Sequence, residues 1–408
     1  MIVTPKRKMA IKTQKAGPSI LEFTIIISLM MSLTALSIDA MLPALPQIGR
    51  DLGVQNANDR QLVVAILFLG LALGQLFFGP LSDKTGRKPA VFTGFALYIA
   101  GALISAFAVS FPMLLWGRLL QGLGVSAPRS VSLAIVRDRY EGRVMARVMS
   151  FVITIFILIP MIAPTVGQAI LQLSGWRSIF MGFVVMALLT LVLFAVRMPE
   201  TLSLKNRAPF SLRRIGQTTL EIIRNRTAIG YTLSAGLISG AFLGYLNSAQ
   251  QIFQELYALG ERFPLFFAVI AFSIGLASLL NARLVMRFGM RFLVWWSLII
   301  IFGLSMIALA GFLPSGGQPP LFLLMAYIMM AFFFVGITFG NQNALAMEPL
   351  GHLAGIGAAI VGSLSTLLSV PLGTIIGQTF NNSVYPLTIG LALLSAAAIL
   401  IVRWVEVK

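Results

Sequence analysis

Long stretches without a single Asp, Glu, Lys or Arg divide this chain of 408 residues. They cover residues 89–117, 148–176, 227–254, 292–347 and 349–402. An apolar run of about 20 residues spans a bilayer as a helix, and only helices or closed barrels satisfy the backbone within lipid. The two longest stretches can each hold two spans, and the short alternation of barrel strands is absent. The chain is therefore predicted to be an all-α integral membrane protein.

The uncharged stretches and the apolar runs between them predict twelve spans. They lie at roughly 19–45, 61–82, 90–110, 112–136, 148–172, 178–197, 227–254, 263–286, 291–313, 320–345, 353–379 and 384–403. With both termini on one side, 24 of the 30 Lys and Arg residues fall on that side, four fall on the other and two lie within spans. Loop Lys and Arg accumulate in the cytoplasm. Both termini are therefore predicted to be cytoplasmic, and the net charge of +17 reflects topology, not nucleic-acid binding.

The longest polar stretch, 198–226, separates six spans from six. We predict a cytoplasmic tail at 1–18, a six-helix bundle at 19–197, a cytoplasmic central loop at 198–226 and a second six-helix bundle at 227–404. A weak repeat links the halves: LSDKTGRK (81–88) follows span 2 and LVMRFGMR (284–291) follows span 8. Spans 5 and 11 both carry Pro and Gly in mid-helix. Such repeated halves are typical of alternating-access carriers.

Several segments carry a specific family resemblance. GPLSDKTGRK (79–88) resembles the loop signature between spans 2 and 3 of the major facilitator superfamily. RLLQGLG (118–124) resembles a second motif of that superfamily, and APTVG (163–167) resembles its antiporter motif, although Gln168 stands where a Gly often follows. SIDAMLPALPQI (37–48), IVRDRY (135–140), WRSIF (176–180) and PETL (199–202) are similar to the Bcr/CflA branch of drug:proton antiporters. The resemblance implies two six-helix bundles and proton-coupled drug efflux by alternating access.

The charged loop after span 2 is predicted to be part of a cytoplasmic gate. A carboxylate such as Asp83 is favoured by about 0.3–1 kcal/mol near a helix N-terminus, and the resemblance implies that this helix is span 11. Arg87 is positioned to pair with Asp138. Lys84 and Lys88 are expected only to enforce orientation. The predicted gating residues, with glycines for tight turns and close approach, are Gly79, Asp83, Gly86, Arg87, Asp138, Pro164 and Gly167.

Ionisable groups inside spans are functional candidates because they are costly to bury. Asp39 precedes Pro43 by four residues and Arg118 follows Pro112 by six, so both lie at similar depth below the same membrane surface. If spans 1 and 4 line one cavity, as the resemblance implies, the two side chains can pair. We therefore predict that Asp39 and Arg118 couple transport to protons. The alternatives are that Asp39 reaches interfacial water and that Arg118 is a structural brace.

A polar and aromatic pocket is predicted for the substrate. Arg129 lies three turns after Arg118 on the same helix face, with Gln121 beside that stripe, and a structural role for Arg129 is equally open. Span 7 presents a polar face, and span 10 adds aromatic rings and an amide, which suit lipophilic ligands and cations. The predicted substrate-binding residues are Arg129, Gln121, Asn247, Gln250, Gln251, Tyr327, Phe333 and Asn341.

Other functional classes lack the residues that they need. No G-x4-G-K-[ST] phosphate loop is present, and 13 acids with one His do not supply the cluster that an enzyme site requires. We expect neither an enzyme nor a bound cofactor or metal. The expected partners are small-molecule drugs, protons and membrane lipid, with a monomer in a bacterial inner membrane and no nucleic acid. The alternative is a proton-coupled carrier of a small endogenous metabolite.

Overall fold

The computed structural model describes residues 18–407, apart from the side chains of Ala146 and Ala354. Twelve of its helices are long and apolar enough to cross a membrane, which confirms the predicted number. They are α1 (Ile20–Asp39), α2 (Leu62–Thr85), α3 (Arg87–Ala106), α4 (Phe111–Arg139), α5 (Gly142–Ser174), α6 (Trp176–Arg197), α7 (Arg226–Gln250), α8 (Phe263–Phe288), α9 (Met290–Phe312), α10 (Leu321–Met347), α11 (Ala354–Gln378) and α12 (Tyr385–Glu406).

The turns between these helices are short and use residues that suit a sharp reversal. Gly86 separates α2 from α3 with a φ of 106°, and Gly289 separates α8 from α9 with a φ of 79°. This backbone region is open to glycine at little cost. The two glycines occupy corresponding positions in the two halves, so the weak sequence repeat marks a repeated structural turn.

The twelve helices form two halves of six. In the first half α4 packs against α2 and α3, and α1 packs against α5; in the second α7 packs against α11 and α12, and α10 packs against α8 and α9. The halves meet mainly where α2 packs on α11 and α5 packs on α8. This reciprocal arrangement confirms the predicted architecture of two six-helix bundles.

Glycine allows α2 and α4 to pack with their backbones in contact. A Cβ atom at Gly70 would collide with the carbonyl oxygen of Leu119, and one at Gly122 would collide with that of Leu67. Lipid chains are as apolar as the side chains that they meet, so close van der Waals packing between small residues is a main source of helix association. Gly122 of the RLLQGLG segment is therefore a packing residue.

The two ends of the helical bundle differ in charge. One end of the bundle holds Pro18, Val407 and the connections around residues 86, 140, 197–226, 289 and 350. We call this end the basic face. The opposite face holds the connections around residues 52–57, 108, 175, 257–260, 316 and 381. The loop Lys and Arg residues concentrate on the basic face, as the sequence predicts.

The segment between the halves contains a helix that the sequence analysis does not anticipate. It runs from Leu212 to Arg224, and the side chain of Ser211 accepts a hydrogen bond from the backbone N–H of Arg214 at 3.2 Å. Thr218 and Ile222 are buried where this linker helix packs on α11 and α7. This helix has only 13 residues, with an apolar face among many basic residues, so its hydropathy signal in the sequence is weak beside those of the membrane-spanning segments.

The contact between α2 and α4 gives a test of the packing. Gly122→Ala is expected to lower stability by about 1–3 kcal/mol, because the added methyl group meets backbone that cannot rotate away. The measurement is the thermal unfolding midpoint of the purified protein in detergent. Gly303→Ala is the matched control, since nothing lies within 4 Å of a Cβ there. An equal or smaller loss at Gly122 than at Gly303 would contradict the packing role.

Candidate functional site

A cavity of about 460 Å³ lies between the two halves. Helices α1, α2, α4 and α5 line it from the first half, and α7, α8, α10 and α11 line it from the second. Most of the wall is apolar, and its aromatic members are Phe68, Phe156, Phe242, Tyr245, Phe267 and Phe339. Phe242 packs edge-on against Phe339 with ring centroids 5.6 Å apart, which forms one aromatic wall. An apolar cavity with a few polar groups is the general form of a small-molecule site.

One acidic residue, Asp39, and one basic residue, Arg129, line this cavity in the described chain. Asp39 is the last residue of α1 and is only 5% exposed. Its carboxylate makes no hydrogen bond or ion pair with any residue in the described range 18–407. A buried carboxylate is normally paired, because removing it from water is costly. Asp39 is therefore the outstanding ionisable group of the cavity.

The backbone around Asp39 is held from two sides. A Cβ atom at Gly167 would collide with the carbonyl oxygen of Ala40, so α5 packs directly on the residue after Asp39. On the other side the Arg118 guanidinium donates to the carbonyl oxygen of Ser37 at 2.8 Å. These contacts determine where the Asp39 carboxylate points into the cavity. Gly167, predicted as a gating residue, is thus located beside the candidate proton site.

Arg118 does not pair with Asp39, which corrects the predicted ion pair. Its guanidinium is fully buried and donates to the carbonyl oxygens of Ser37 and Val63 and to the Gln121 side chain, at 2.8, 2.9 and 3.0 Å. Carbonyl groups of α1 and α2 satisfy the charge because Arg118 lies where these helices meet α4. The geometry is that of the structural brace weighed as the alternative.

Of the predicted substrate-binding residues, Arg129 lines the cavity and seven others do not. Each of the six polar residues among them has at least one hydrogen-bond partner that does not line the cavity, and the Phe333 ring packs on that of Phe334. Helical periodicity identifies a polar face without showing which neighbour that face meets. The corrected residues, with partners in parentheses, are Gln121 (Arg118), Asn247 (the Gly373 carbonyl), Gln250 (Glu255), Gln251 (Asn58), Tyr327 (Ser305), Phe333 (Phe334) and Asn341 (Asn281).

Several cavity residues are absent from the predicted set. Tyr245 lines the wall, and its buried hydroxyl has no hydrogen-bond partner among the described residues. Gln75 of α2 and the small hydroxyl residues Ser365, Thr366 and Ser369 of α11 also face the cavity. Single polar residues in an apolar helix give little signal in a sequence. The spacing of Ser365 and Ser369, one helical turn apart, was the available clue.

Hydrogen bonds hold the two halves together at the opposite face. The Asn58 side chain donates to the carbonyl oxygens of Gln378 and Phe380, both at 2.9 Å, and accepts from the Gln251 amide at 2.7 Å. Asn58 lies in a short 3₁₀ helix before α2, whereas its partners lie at the ends of α7 and α11. One residue of the first half thereby joins two helices of the second.

An ion pair completes this contact. Arg60 Nη1 lies 2.9 Å from Glu255 Oε1, and the two side chains are 13% and 34% exposed. The Gln378 amide also donates to Asp59 at 3.2 Å. We call Asn58, Asp59 and Arg60 with their partners Gln251, Glu255 and Gln378 the opposite-face latch. The only other hydrogen bond between the halves in residues 18–407 joins Ser363 to the Ala72 carbonyl near mid-helix.

The predicted gate residues cluster at the basic face. Arg87 donates to Asp138 at 2.9 Å, which is the predicted pair, and also to Asp83 at 2.6 Å. Asp83 makes no hydrogen bond to the start of α11, so that predicted contact is not present. The Asp83 side chain is 42% exposed, and its carboxylate bonds to Arg87 of the same half instead. Gly79 does approach α11, since a Cβ there would lie 3.3 Å from Ala359.

Glu200 of the PETL segment is a further member of this cluster. Its two carboxylate oxygens accept from the backbone N–H groups of Arg87 and Lys88 at 2.9 and 3.0 Å. A carboxylate at a helix N-terminus is favoured by the exposed N–H groups and by the helix dipole. Gly86 permits this approach, because a Cβ there would lie 2.6 Å from a Glu200 oxygen. The linker after α6 thus holds the start of α3.

The comparison with protein families agrees with the twelve-helix fold. The family described as Major Facilitator Superfamily matches residues 27–374. This chain belongs to that superfamily. Among curated relatives it is 31% identical over 371 residues to YdgK of Bacillus subtilis (strain 168), named an uncharacterized MFS-type transporter, covering 90% of this chain and 91% of that one.

Two further comparisons place this major facilitator transporter among its relatives. It is 26% identical over 369 residues to the bicyclomycin resistance protein homolog of Haemophilus influenzae, covering 90% and 91% of the two chains. Its fold resembles the partially occluded, inward-open xylose transporter XylE of E. coli, with a TM-score of 0.74, 16% identity and coverage of 96% and 100%. At that identity the structural likeness shows the fold alone.

The opposite-face latch of this transporter gives a second test. Arg60→Gln is expected to increase the population with the opposite face open by up to roughly fivefold, because a partly exposed ion pair contributes up to about 1 kcal/mol. The natural chain contains no Cys. Spin labels at Gln55→Cys and Glu261→Cys, on the two halves, therefore report the separation by pulsed electron resonance.

Two variants control this measurement. Arg50→Gln makes the same change on the same face at a residue without an ion pair in the described chain, and it is expected to leave the distance distribution unchanged. The exchange Arg60→Glu with Glu255→Arg is expected to restore the short distance. If Arg60→Gln and Arg50→Gln give the same distribution, the ion pair does not hold this face closed.

Proposed function

We propose that this transporter exports amphipathic drugs in exchange for protons. The observation that carries the proposal is that the Asp39 carboxylate, on the wall of an apolar, aromatic cavity between the two halves, has no partner within residues 18–407. A carboxylate in such a place is satisfied by a proton or by a ligand with a positive charge or hydrogen-bond donors. The two compete for one site, and that competition is the basis of exchange.

The cavity suits the body of an amphipathic ligand. Phe242 and Phe339 form a wall on one side, and the wall continues through Tyr245, whose ring lies 5.9 Å from that of Phe267. Aromatic faces contact apolar rings and also attract cations. The name of the Haemophilus influenzae relative, a bicyclomycin resistance protein homolog, supports a drug as the substrate class.

The proposed exchange cycle has two steps. When the drug reaches Asp39 from the basic face, the carboxyl proton leaves and the ionised carboxylate contacts the ligand. When the latch opens and the drug leaves at the opposite face, the carboxylate takes up a proton there before the halves return. The Gly167 contact with Ala40 ties Asp39 to α5, which packs across the half interface on α8. Movement of the halves thereby moves the surroundings of the carboxylate.

We propose that the basic face is cytoplasmic, because loop Lys and Arg residues accumulate on that side of a membrane. The transporter then resides in a bacterial inner membrane with both ends of the chain inside, and acts as a monomer. In the conformation described, polar contacts close the face that this orientation makes extracellular. The gating roles proposed for Asp83, Arg87 and Asp138 are contacts that reorganise at the cytoplasmic face as the halves move.

The proton site is tested by measuring proton release when lipophilic drugs are added to the purified protein in weakly buffered detergent. The wild type is expected to release protons on binding, and Asp39→Asn is expected to bind without release, because the amide keeps the shape and cannot ionise. Glu261→Gln is the matched control, since Glu261 is an exposed acid on the opposite face.

Each outcome assigns the function differently. Release that disappears in Asp39→Asn and persists in Glu261→Gln supports Asp39 as the exchanged site. Equal release from both variants would place the proton on another group. Absence of binding for every amphipathic drug tested would contradict drug efflux and favour the carrier of a small endogenous metabolite.

A further inference from the structure

We propose that the basic-face end of the cavity is an oxyanion subsite centred on Arg129, so that amphipathic carboxylic acids and zwitterions are ligands of this transporter. The inference rests on the proposed function, since it takes the cavity as the substrate site. It goes further by assigning a ligand chemistry to the end of the cavity away from Asp39.

The first observation is that Arg129 lines the cavity without a partner. Its guanidinium makes no hydrogen bond or ion pair with another residue in the described range. The two buried arginines of the described chain are bonded within the protein, whereas Arg129 is partly buried: Arg118 bonds to carbonyl oxygens and Gln121, and Arg87 bonds to Asp83 and Asp138. In both cases the protein itself provides the oxygen atoms that accept hydrogen bonds from a structural arginine. Arg129 is the exception, and its donors face the cavity.

The second observation is the position of Arg129 along the cavity. Arg118 is bound to the turn of α1 that precedes Asp39, and Arg129 lies eleven residues further along α4 toward the basic face. At 1.5 Å per residue the two helix positions are about 16 Å apart along the axis. Asp39 is therefore too distant to neutralise Arg129 directly, and no other acid lines the cavity in the described chain.

Two amide side chains accompany Arg129 on the wall of the cavity. Gln75 of α2 and Asn343 of α10 line the same cavity, each on the basic-face half of its helix. The Asn343 amide donates to the carbonyl of Phe339 at 2.9 Å, while Gln75 lies against Gly362 of α11. Two amides and a guanidinium provide hydrogen-bond donors and no carboxylate. Such a set favours an oxyanion over a cation.

The chemistry of arginine defines the ligand class. A guanidinium offers five N–H donors in a planar fork that matches a carboxylate with two parallel hydrogen bonds. A charge inside the membrane normally has a partner, so a ligand oxyanion completes what the protein leaves open. An aromatic body along Phe242 and Phe339 then places the other end of the ligand toward Asp39. A zwitterion with its positive group at that end satisfies both charges.

The test uses two fluorescent probes with the same pyrene body, the anionic 4-(1-pyrenyl)butyric acid and its uncharged methyl ester. Affinities are measured for the purified full-length protein in detergent. Arg129→Gln is expected to weaken binding of the acid about tenfold or more and to change binding of the ester less than twofold. Arg129→Lys is expected to retain part of the preference, because it keeps the charge and loses the planar fork.

Arg137→Gln is the matched control, since Arg137 lies on the same helix and is exposed outside the cavity. It is expected to leave both affinities unchanged. An equal loss of acid and ester in Arg129→Gln would assign Arg129 to the fold and overturn the subsite. A wild type that binds the ester and not the acid would overturn it as well, with drug exchange intact. A wild type that binds neither probe contradicts the subsite, and the function is then decided by the proton-release measurement on other drugs.

Discussion

A polar group that enters the bilayer must find its partner inside the protein, and this requirement governs the whole structure. Helices satisfy the backbone N–H and C=O groups, so only the polar side chains still need partners from other helices. Arg118 shows the consequence most clearly, because its guanidinium binds carbonyl groups of α1 and α2 and so joins three helices at one point. The bundle depends on that junction and on the glycine contacts that bring α2 and α4 together.

The same requirement distinguishes the residues of the site from those of the scaffold. Asp39 and Arg129 line the cavity without partners in the described chain, whereas most polar groups predicted for the substrate are bonded to neighbours. The two opposite charges lie toward the two ends of one apolar cavity, too far apart to pair with each other. A ligand that carries the complementary groups can pair with them. The proton exchange proposed at Asp39 and the oxyanion binding proposed at Arg129 both rest on this absence of partners within the described chain.

The polar contacts between the halves are concentrated at the opposite face, so this face is the one held closed in the structure. Asn58 and Arg60 bind the ends of α7 and α11, whereas at the basic face the charged groups bond within one half or to the linker. The charged loop around Asp83 and Arg87 therefore has a second role besides orientation. It joins the end of α2, the start of α3 and the end of α4.

The sequence by itself determined the membrane class, the twelve helices, the two halves and the charged face, because these follow from run length, hydropathy and charge, which are local properties. It also identified Asp39, Arg129 and the Arg87–Asp138 pair, since ionisable residues are rare enough in such a chain to stand out. Only the tertiary structure decided that Arg118 binds carbonyl groups, that the amides of α7 belong to contacts with neighbouring helices and that Glu200 holds the start of α3. Those partners lie far apart in the chain, and helical periodicity shows the direction of a side chain without showing which helix it meets.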